Sequence, residues 1–113
     1  MNVKKIIEKL NLNPITGEAN LEKEVTGGYT SDLLSDVIAN SKEGHLWITL
    51  QIHQNILAVA KLKDLAGIII VNNREPDEAT IAKAKEENIP ILRSQDMAFE
   101  ISGKLYNLIT KKE

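Results

Sequence analysis

The sequence has no cysteine, and it has few prolines, glycines and aromatic residues. Without cysteine the chain cannot form disulfides, thiolate metal sites or cysteine nucleophiles, and this fits a reducing compartment. No apolar stretch approaches the roughly 20 residues that a membrane helix needs, and the first residues lack the apolar core of a signal peptide. We therefore expect a cytoplasmic protein with no membrane partner.

The sequence also has little excess of either charge, because the basic and acidic residues are nearly equal in number. The formal net charge is -2, so the chain lacks the overall positive field that nucleic-acid binding requires, and a nucleic-acid partner is not expected. The apolar fraction of 42% and the charged fraction of 27% are typical of globular chains. The length predicts a single domain over residues 1–113, with an N-terminal helix and loop over residues 1–20 and a core over residues 21–110.

Catalytic motifs are absent as well. Neither G-x-x-x-x-G-K-[ST] nor G-x-G-x-x-G occurs, which disfavours nucleotide turnover. His45 and His53 are the only histidines, and neither belongs to a metal-binding or triad pattern, so no metal, no cofactor and no enzymatic activity are expected. Trp47 lies in an apolar run, which is more typical of a core residue than of a surface for ligand stacking.

What is present is an alternation of strand and helix patterns. An amphipathic helix is predicted over the first ten residues, and four strand–helix units follow. The continuous β-branched run at residues 67–71 predicts an internal parallel strand. The other strands are predicted at residues 21–25, 46–50 and 89–92. Together these patterns predict a three-layer α/β/α fold with a small, mostly parallel sheet of four to five strands.

Ligands of such sheets bind beyond the carboxyl ends of the strands, so the segments after each strand supply the candidate site. Gly27 and Gly28, placed between a predicted strand and a helix start, have two interpretations. They form either an anion-binding turn at a helix N-terminus or a purely structural tight turn with positive φ. The candidate ligand-binding residues are Thr26, Gly27, Gly28, Tyr29, Thr30, Asn72, Asn73, Arg74, Arg93 and Ser94.

The stretch at residues 24–37, with Thr26-Gly27-Gly28 followed by Ser31-Asp32-Leu33-Leu34-Ser35-Asp36, resembles the DRTGG domain, and the likeness extends from about Leu21 onward. The Asp-Arg pair of the family's name is absent, and Glu22-Lys23 is a displaced, charge-matched stand-in. The resemblance implies a fold similar to the N-terminal domain of HPr kinase/phosphorylase, with a likeness to a Mur ligase N-terminal domain. It does not imply kinase activity, because the phosphate-binding loop of that enzyme lies in a separate domain.

DRTGG domains also accompany CBS domain pairs and phosphotransacetylases, so the resemblance implies a regulatory role. Our leading hypothesis is a non-catalytic regulatory or ligand-sensing domain that binds a small anionic ligand or nucleotide at the strand ends. The alternative is a protein–protein interaction module that forms a homodimer, or docks on a kinase or redox-enzyme partner, without any small ligand. A small phosphotransfer enzyme ranks last, because no activated nucleophile is evident.

Overall fold

The fold is a five-stranded sheet covered by helices on both faces, seen in a computed structural model that describes residues 1–111. The strand order is β1-β5-β4-β3-β2; β2 to β5 run parallel, and β1 pairs antiparallel with β5. The elements in chain order are α1 (Val3–Leu10), β1 (Asn13–Pro14), β2 (Gly27–Thr30), α2 (Leu34–Asn40), β3 (His45–Thr49), α3 (Asn55–Leu62), β4 (Gly67–Ile70), α4 (Glu78–Glu86), β5 (Ile91–Arg93) and α5 (Ala98–Thr110).

Two apolar cores lie on opposite faces of the sheet, because successive strand residues point to opposite sides. On one face, Leu46, Ile48 and Ile69 pack with residues of α1 and α5. On the other face, Trp47 and Ile68 pack with residues of α2, α3 and α4. The predicted three-layer α/β/α architecture with a mostly parallel sheet is confirmed.

The central strand is β4, and all of its residues are buried. This confirms the prediction of an internal parallel strand from the β-branched run. Trp47 is also fully buried, and its indole Nε1–H donates to the Ser31 carbonyl at 2.8 Å, so it is a core residue as predicted. The helices predicted after these strands are present, with ends that differ by a few residues.

The strand predicted at residues 21–25 is wrong. This segment is a loop, tied to the first residues of the chain by backbone hydrogen bonds from Lys4 N–H to the Leu21 carbonyl and from Val25 N–H to the Met1 carbonyl. Leu21 and Val25 are buried because the loop packs against the α1 side of the sheet. The alternating pattern therefore reflects a half-buried loop, while the first parallel strand begins at Gly27.

A second correction concerns residues 11–17, which the sequence predicts as loop. Asn13 and Pro14 form the short edge strand β1, which pairs with Arg93 and Leu92 of β5. Proline is tolerated there because an edge strand leaves one side unpaired. None of the helices within residues 1–111 has the length and apolar character to cross a membrane.

Candidate functional site

Gly27 and Gly28 lie inside strand β2, so both interpretations of this pair as a turn are wrong. Helix α2 does not begin until Leu34, which leaves no anion-binding turn between the glycines and a helix start. Among the described glycines, only Gly17 and Gly44 have positive φ. Both glycines have extended backbone, so a turn does not explain why residues without a side chain occur here.

The reason is close packing on both faces of β2. A Cβ on Gly28 would lie 2.8 Å from Cδ2 of Leu105 in α5, which is closer than non-bonded carbon atoms approach each other in folded proteins. A Cβ on Gly27 would lie 3.1 Å from Nε2 of His45, the residue paired with it on β3. The glycines therefore let a helix and an imidazole approach the strand from opposite sides.

A cleft of about 420 Å³ opens between β2 and α5, and we call it the α5–β2 cleft. Because β2 is an edge strand, the cleft is bordered by backbone rather than by a further strand. Its volume lies within the range of small-molecule sites, roughly 300–1,000 Å³. Its lining residues are Thr26, Gly27, Gly28, Thr30, His45, Ile48, Ser102, Leu105, Tyr106, Ile109 and Thr110.

The polar groups of the α5–β2 cleft are few, and their hydrogen bonds set their direction. The hydroxyls of Thr30 and Ser102 bond each other at 2.7 Å, which ties the carboxyl end of β2 to α5. The Thr26 hydroxyl donates to the Glu43 carbonyl at 2.9 Å. These bonds hold the side chains of the cleft in place before a ligand binds. Binding therefore loses little further side-chain entropy.

His45 also borders the cleft, beside Gly27. Its Nδ1 accepts from the Lys42 N–H at 3.2 Å, so in the neutral ring the proton resides on Nε2. Burial of the imidazole, and secondarily the charge of Lys42, lower the pKa of His45 below its usual range. At neutral pH the side chain is therefore an uncharged donor, with Nε2 beside Gly27.

Among the residues that the structure describes, no lysine, arginine, aspartate or glutamate lines the α5–β2 cleft. The floor is apolar, with Ile48, Leu105 and Ile109, and Tyr106 adds an aromatic ring at the rim. A charged group buried against such a lining would lose its hydration without gaining a partner. The cleft is therefore suited to a neutral, partly apolar group that accepts a few hydrogen bonds.

The predicted residues beyond β4 and β5 form a second region, the strand-end rim, made by Asn72, Asn73, Arg74, Arg93 and Ser94. Asn72 N–H donates to the Asp96 carbonyl and Asn73 N–H donates to the Ser94 carbonyl, each at 2.8 Å. Both asparagines have left-handed φ, which this residue type tolerates better than most. These contacts give Asn72, Asn73 and Ser94 a structural role at the connection of two strand ends.

The two arginines of the strand-end rim already have protein partners. Arg74 Nη1 donates to the Leu50 carbonyl at 2.6 Å, and Arg93 forms an ion pair with Glu75. The cavity beside Arg74 is only about 210 Å³ and is also lined by Asp32. The Asp32 carboxylate accepts from Leu50 N–H at 2.7 Å, so a carboxylate already occupies the strand-end position predicted for an anion.

Tyr29 lies apart from both regions. Its side chain is on the opposite face of β2 from Leu105, and its hydroxyl donates to the Asp36 carboxylate at 2.8 Å. That hydrogen bond raises the pKa of Tyr29. The structure thus brings Thr26, Gly27, Gly28 and Thr30 together in the α5–β2 cleft and keeps Tyr29 and the strand-end rim outside it.

Sequence reasoning missed the half of the cleft that β3 and α5 supply. His45 matches no metal-binding or triad pattern, and no motif singles out a residue of α5. The available signal was the helical spacing of Ser102, Tyr106 and Ile109, which places polar and aromatic groups beside the buried stripe. Within residues 1–111, no group of three or more His, Cys, Asp or Glu side chains is placed to hold a metal ion.

Comparison with known proteins gives a fold relationship. No protein-family model matches the sequence, and no curated protein matches it significantly. A solved structure is similar: the CBS and DRTGG domains of the regulatory region of Clostridium perfringens pyrophosphatase, complexed with its activator, diadenosine tetraphosphate. The TM-score is 0.64 at 16% identity, over 99% of this chain and 51% of that one.

This likeness confirms the DRTGG-like fold that the sequence predicts. The chain spans about half the length of the pyrophosphatase regulatory region that it matches. The Glu22-Lys23 stand-in for the Asp-Arg pair has structural contacts: Lys23 Nζ pairs with the Asp64 carboxylate at 2.6 Å, and Glu22 accepts from Asn2. In this chain the two side chains fasten the loop at residues 21–25 to its neighbours.

Proposed function

We propose that the chain is a non-catalytic regulatory domain that senses a small ligand in the α5–β2 cleft. The observation that carries this proposal is the cleft itself, a preformed and mostly apolar cavity in which the hydroxyls of Thr26, Thr30 and Ser102 are already oriented by hydrogen bonds. A cytoplasmic setting and a single domain over the chain are part of the same proposal.

The chemistry of the lining favours a flat, uncharged ring as the bound group. Tyr106 can stack on such a ring, and the hydroxyls that line the cleft can form hydrogen bonds with polar groups on its edge. A nucleobase meets both requirements, and any attached phosphates would remain in solvent because the lining offers them no cation. The nucleotide activator of the pyrophosphatase regulatory region supports this class of ligand.

The test is a thermal-shift measurement of the purified chain with the common nucleosides. A ligand that binds only the folded state raises the melting temperature by mass action, so at least one nucleoside should shift it. Tyr106→Ala should abolish the shift, because it removes the ring at the cleft without touching the core; the side chain is 71% exposed.

Phe99→Ala provides the matched control. Phe99 is also an exposed aromatic residue of α5, but it does not line the cleft. The shift should survive in Phe99→Ala. If no nucleoside shifts the wild type, or if both variants behave alike, the α5–β2 cleft is not a nucleobase site.

A second candidate function is a homodimerisation module, and two features of the surface favour it. The free edge of β2 carries no proline or charged residue, whereas the opposite edge strand β1 is two residues long and contains Pro14. Edges without such protection are prone to pair with another chain. Phe99, 87% exposed, lies on the same helix face as Tyr106 and Ser102, beside the carboxyl end of β2.

Sedimentation velocity distinguishes this candidate. If the β2 edge and α5 form a dimer contact, the wild type sediments as a dimer and Phe99→Glu as a monomer. Leu62→Glu is the matched control, because Leu62 is exposed to a similar extent on α3, in the other helix layer. A monomeric wild type would eliminate self-association and leave a kinase or redox-enzyme subunit as the partner class of this candidate.

A further inference from the structure

A basic cavity lies between α1 and the end of α5, and no part of the proposed function uses it. Lysines from both helices surround it: Lys5 and Lys9 from α1, and Lys104 and Lys111 from α5 and the residue that follows. The volume is about 800 Å³, and the amide side chains of Asn11 and Asn107 add neutral hydrogen-bond donors. We call this region the lysine cleft.

Charge is segregated at the lysine cleft. Four lysines line it, and within residues 1–111 no acidic residue does. Lys104 has an ion pair with Asp96 at 2.8 Å, whereas within residues 1–111 no ion pair is formed by Lys5 or Lys9. A chain with a net charge of -2 thus presents one strongly positive cavity.

Local helix energetics do not account for this arrangement. Lys5 lies in the first turn of α1, which contains no acidic residue, and a cation is unfavourable at that end of a helix dipole. Lys5 and Lys9 also lie one helical turn apart on one face, where like charges repel. An anionic ligand that bridges the ammonium groups would relieve both penalties.

We propose that the lysine cleft binds a linear phosphate chain, either a free oligophosphate or the phosphates of a nucleotide. Ammonium groups are strong donors to phosphate oxygens, and the four that line this cleft, from α1, α5 and the residue after α5, can contact successive phosphates. The cavity is wide and open, which suits an extended, hydrated anion. This proposal is independent of the α5–β2 cleft. That cleft lies on the other side of α5, and no cation lines it among the described residues.

Isothermal titration of the full chain with inorganic tripolyphosphate, in buffer free of divalent metals, tests the proposal. We expect binding at low salt that weakens as salt is raised. The double variant Lys5→Gln/Lys9→Gln should weaken binding by about tenfold or more, because two charge-assisted contacts are lost. Both lysines are exposed, so the variant should keep the wild-type melting temperature in the absence of ligand.

The matched control is Lys61→Gln/Lys85→Gln, which removes the same charge from exposed positions on α3 and α4. It should retain wild-type affinity. Absence of binding at low salt, or an equal loss in both double variants, would overturn the proposal. ATP measured in parallel distinguishes the two sources: affinity equal to that of tripolyphosphate identifies a nucleotide's phosphate chain, and weaker affinity identifies a free oligophosphate.

Because tripolyphosphate carries no ring, its binding is insensitive to whether the α5–β2 cleft is a nucleobase site. Tyr106→Ala should therefore leave the tripolyphosphate affinity unchanged. Conversely, a negative nucleoside screen would leave the lysine cleft untouched, so the failure of either proposal can be recognised separately.

Discussion

At the scale of single residues, we expect replacement by alanine to change the stability in opposite directions at Gly28 and at Gly103. Gly28→Ala should destabilise the fold by about 1 kcal/mol, because the new methyl group would lie 2.8 Å from Cδ2 of Leu105 and the end of that side chain must shift toward the α5–β2 cleft. Gly103→Ala should stabilise it by about 0.5–1 kcal/mol, because the helix gains alanine propensity and the methyl group meets nothing within 4 Å. Urea denaturation measures both changes, and a neutral Gly28→Ala would contradict the close packing of β2 against α5.

His45 should make the stability depend on pH in a defined window. Its folded pKa is lowered by burial, so below its unfolded pKa of about 6.5 the unfolded chain binds more protons than the folded one. The stability that the neutral imidazole contributes is therefore fully present above that value. It is lost progressively as the pH falls from there toward the folded pKa.

Urea denaturation of wild type and His45→Gln between pH 7.5 and pH 5 checks this sign. The wild type should lose stability across the interval, and the variant should show a flatter profile. His53→Gln is the control, since His53 lies outside the α5–β2 cleft, and it should follow the wild type. A flat wild-type profile would mean that the imidazole of His45 is not held in its neutral form.

At the scale of elements, helices and central strands could be predicted because their patterns have one dominant cause. The run at Gly67–Ile70 is apolar since both faces of β4 are buried. Helices α1 and α4 have side-chain caps from Asn2 and Asp77. Strand β2 could not be predicted, because its glycines lack strand propensity and are selected by close packing with His45 and Leu105. Tertiary contacts, rather than local propensity, determine that this segment is a strand.

Asp77 offers a direct test of an element boundary. Its carboxylate accepts from Thr80 N–H at 2.8 Å and so satisfies an exposed donor in the first turn of α4. Asp77→Ala should cost about 0.5–2 kcal/mol of the free energy of unfolding. Glu78→Ala, one residue further along the helix, removes a charge without the cap and should cost less. Equal losses would point to the helix dipole rather than to the capping bond.

At the scale of the whole molecule, the candidate site was predicted only in part. Position along the chain identified Thr26, Gly27, Gly28 and Thr30, and these residues line the α5–β2 cleft. The arginines were grouped with them because the rule of strand ends places all loops at one edge of the sheet. The structure instead uses Arg74 and Arg93 in internal contacts, and pairing of that kind cannot be inferred from residue type or spacing.

The position of α5 in the whole molecule separates the α5–β2 cleft from the lysine cleft, so the two proposed ligands would bind at different places. Helix α5 has one side facing β2 and an uncharged cleft, and another side facing α1 and the lysine cleft. Its buried residues, Ile101 and Leu105, hold it against the sheet between the two.

The most direct test of the central claim is an NMR titration of the isotopically labelled chain with the nucleoside that raises its melting temperature most, following the backbone amides. The account predicts shifts confined to the α5–β2 cleft, led by Gly27, Gly28 and Ser102, with Tyr106→Ala abolishing them. Shifts centred on Asn73 and Arg74 would contradict it, because they would place the ligand at the strand-end rim. A titration without any shifts would contradict it as well.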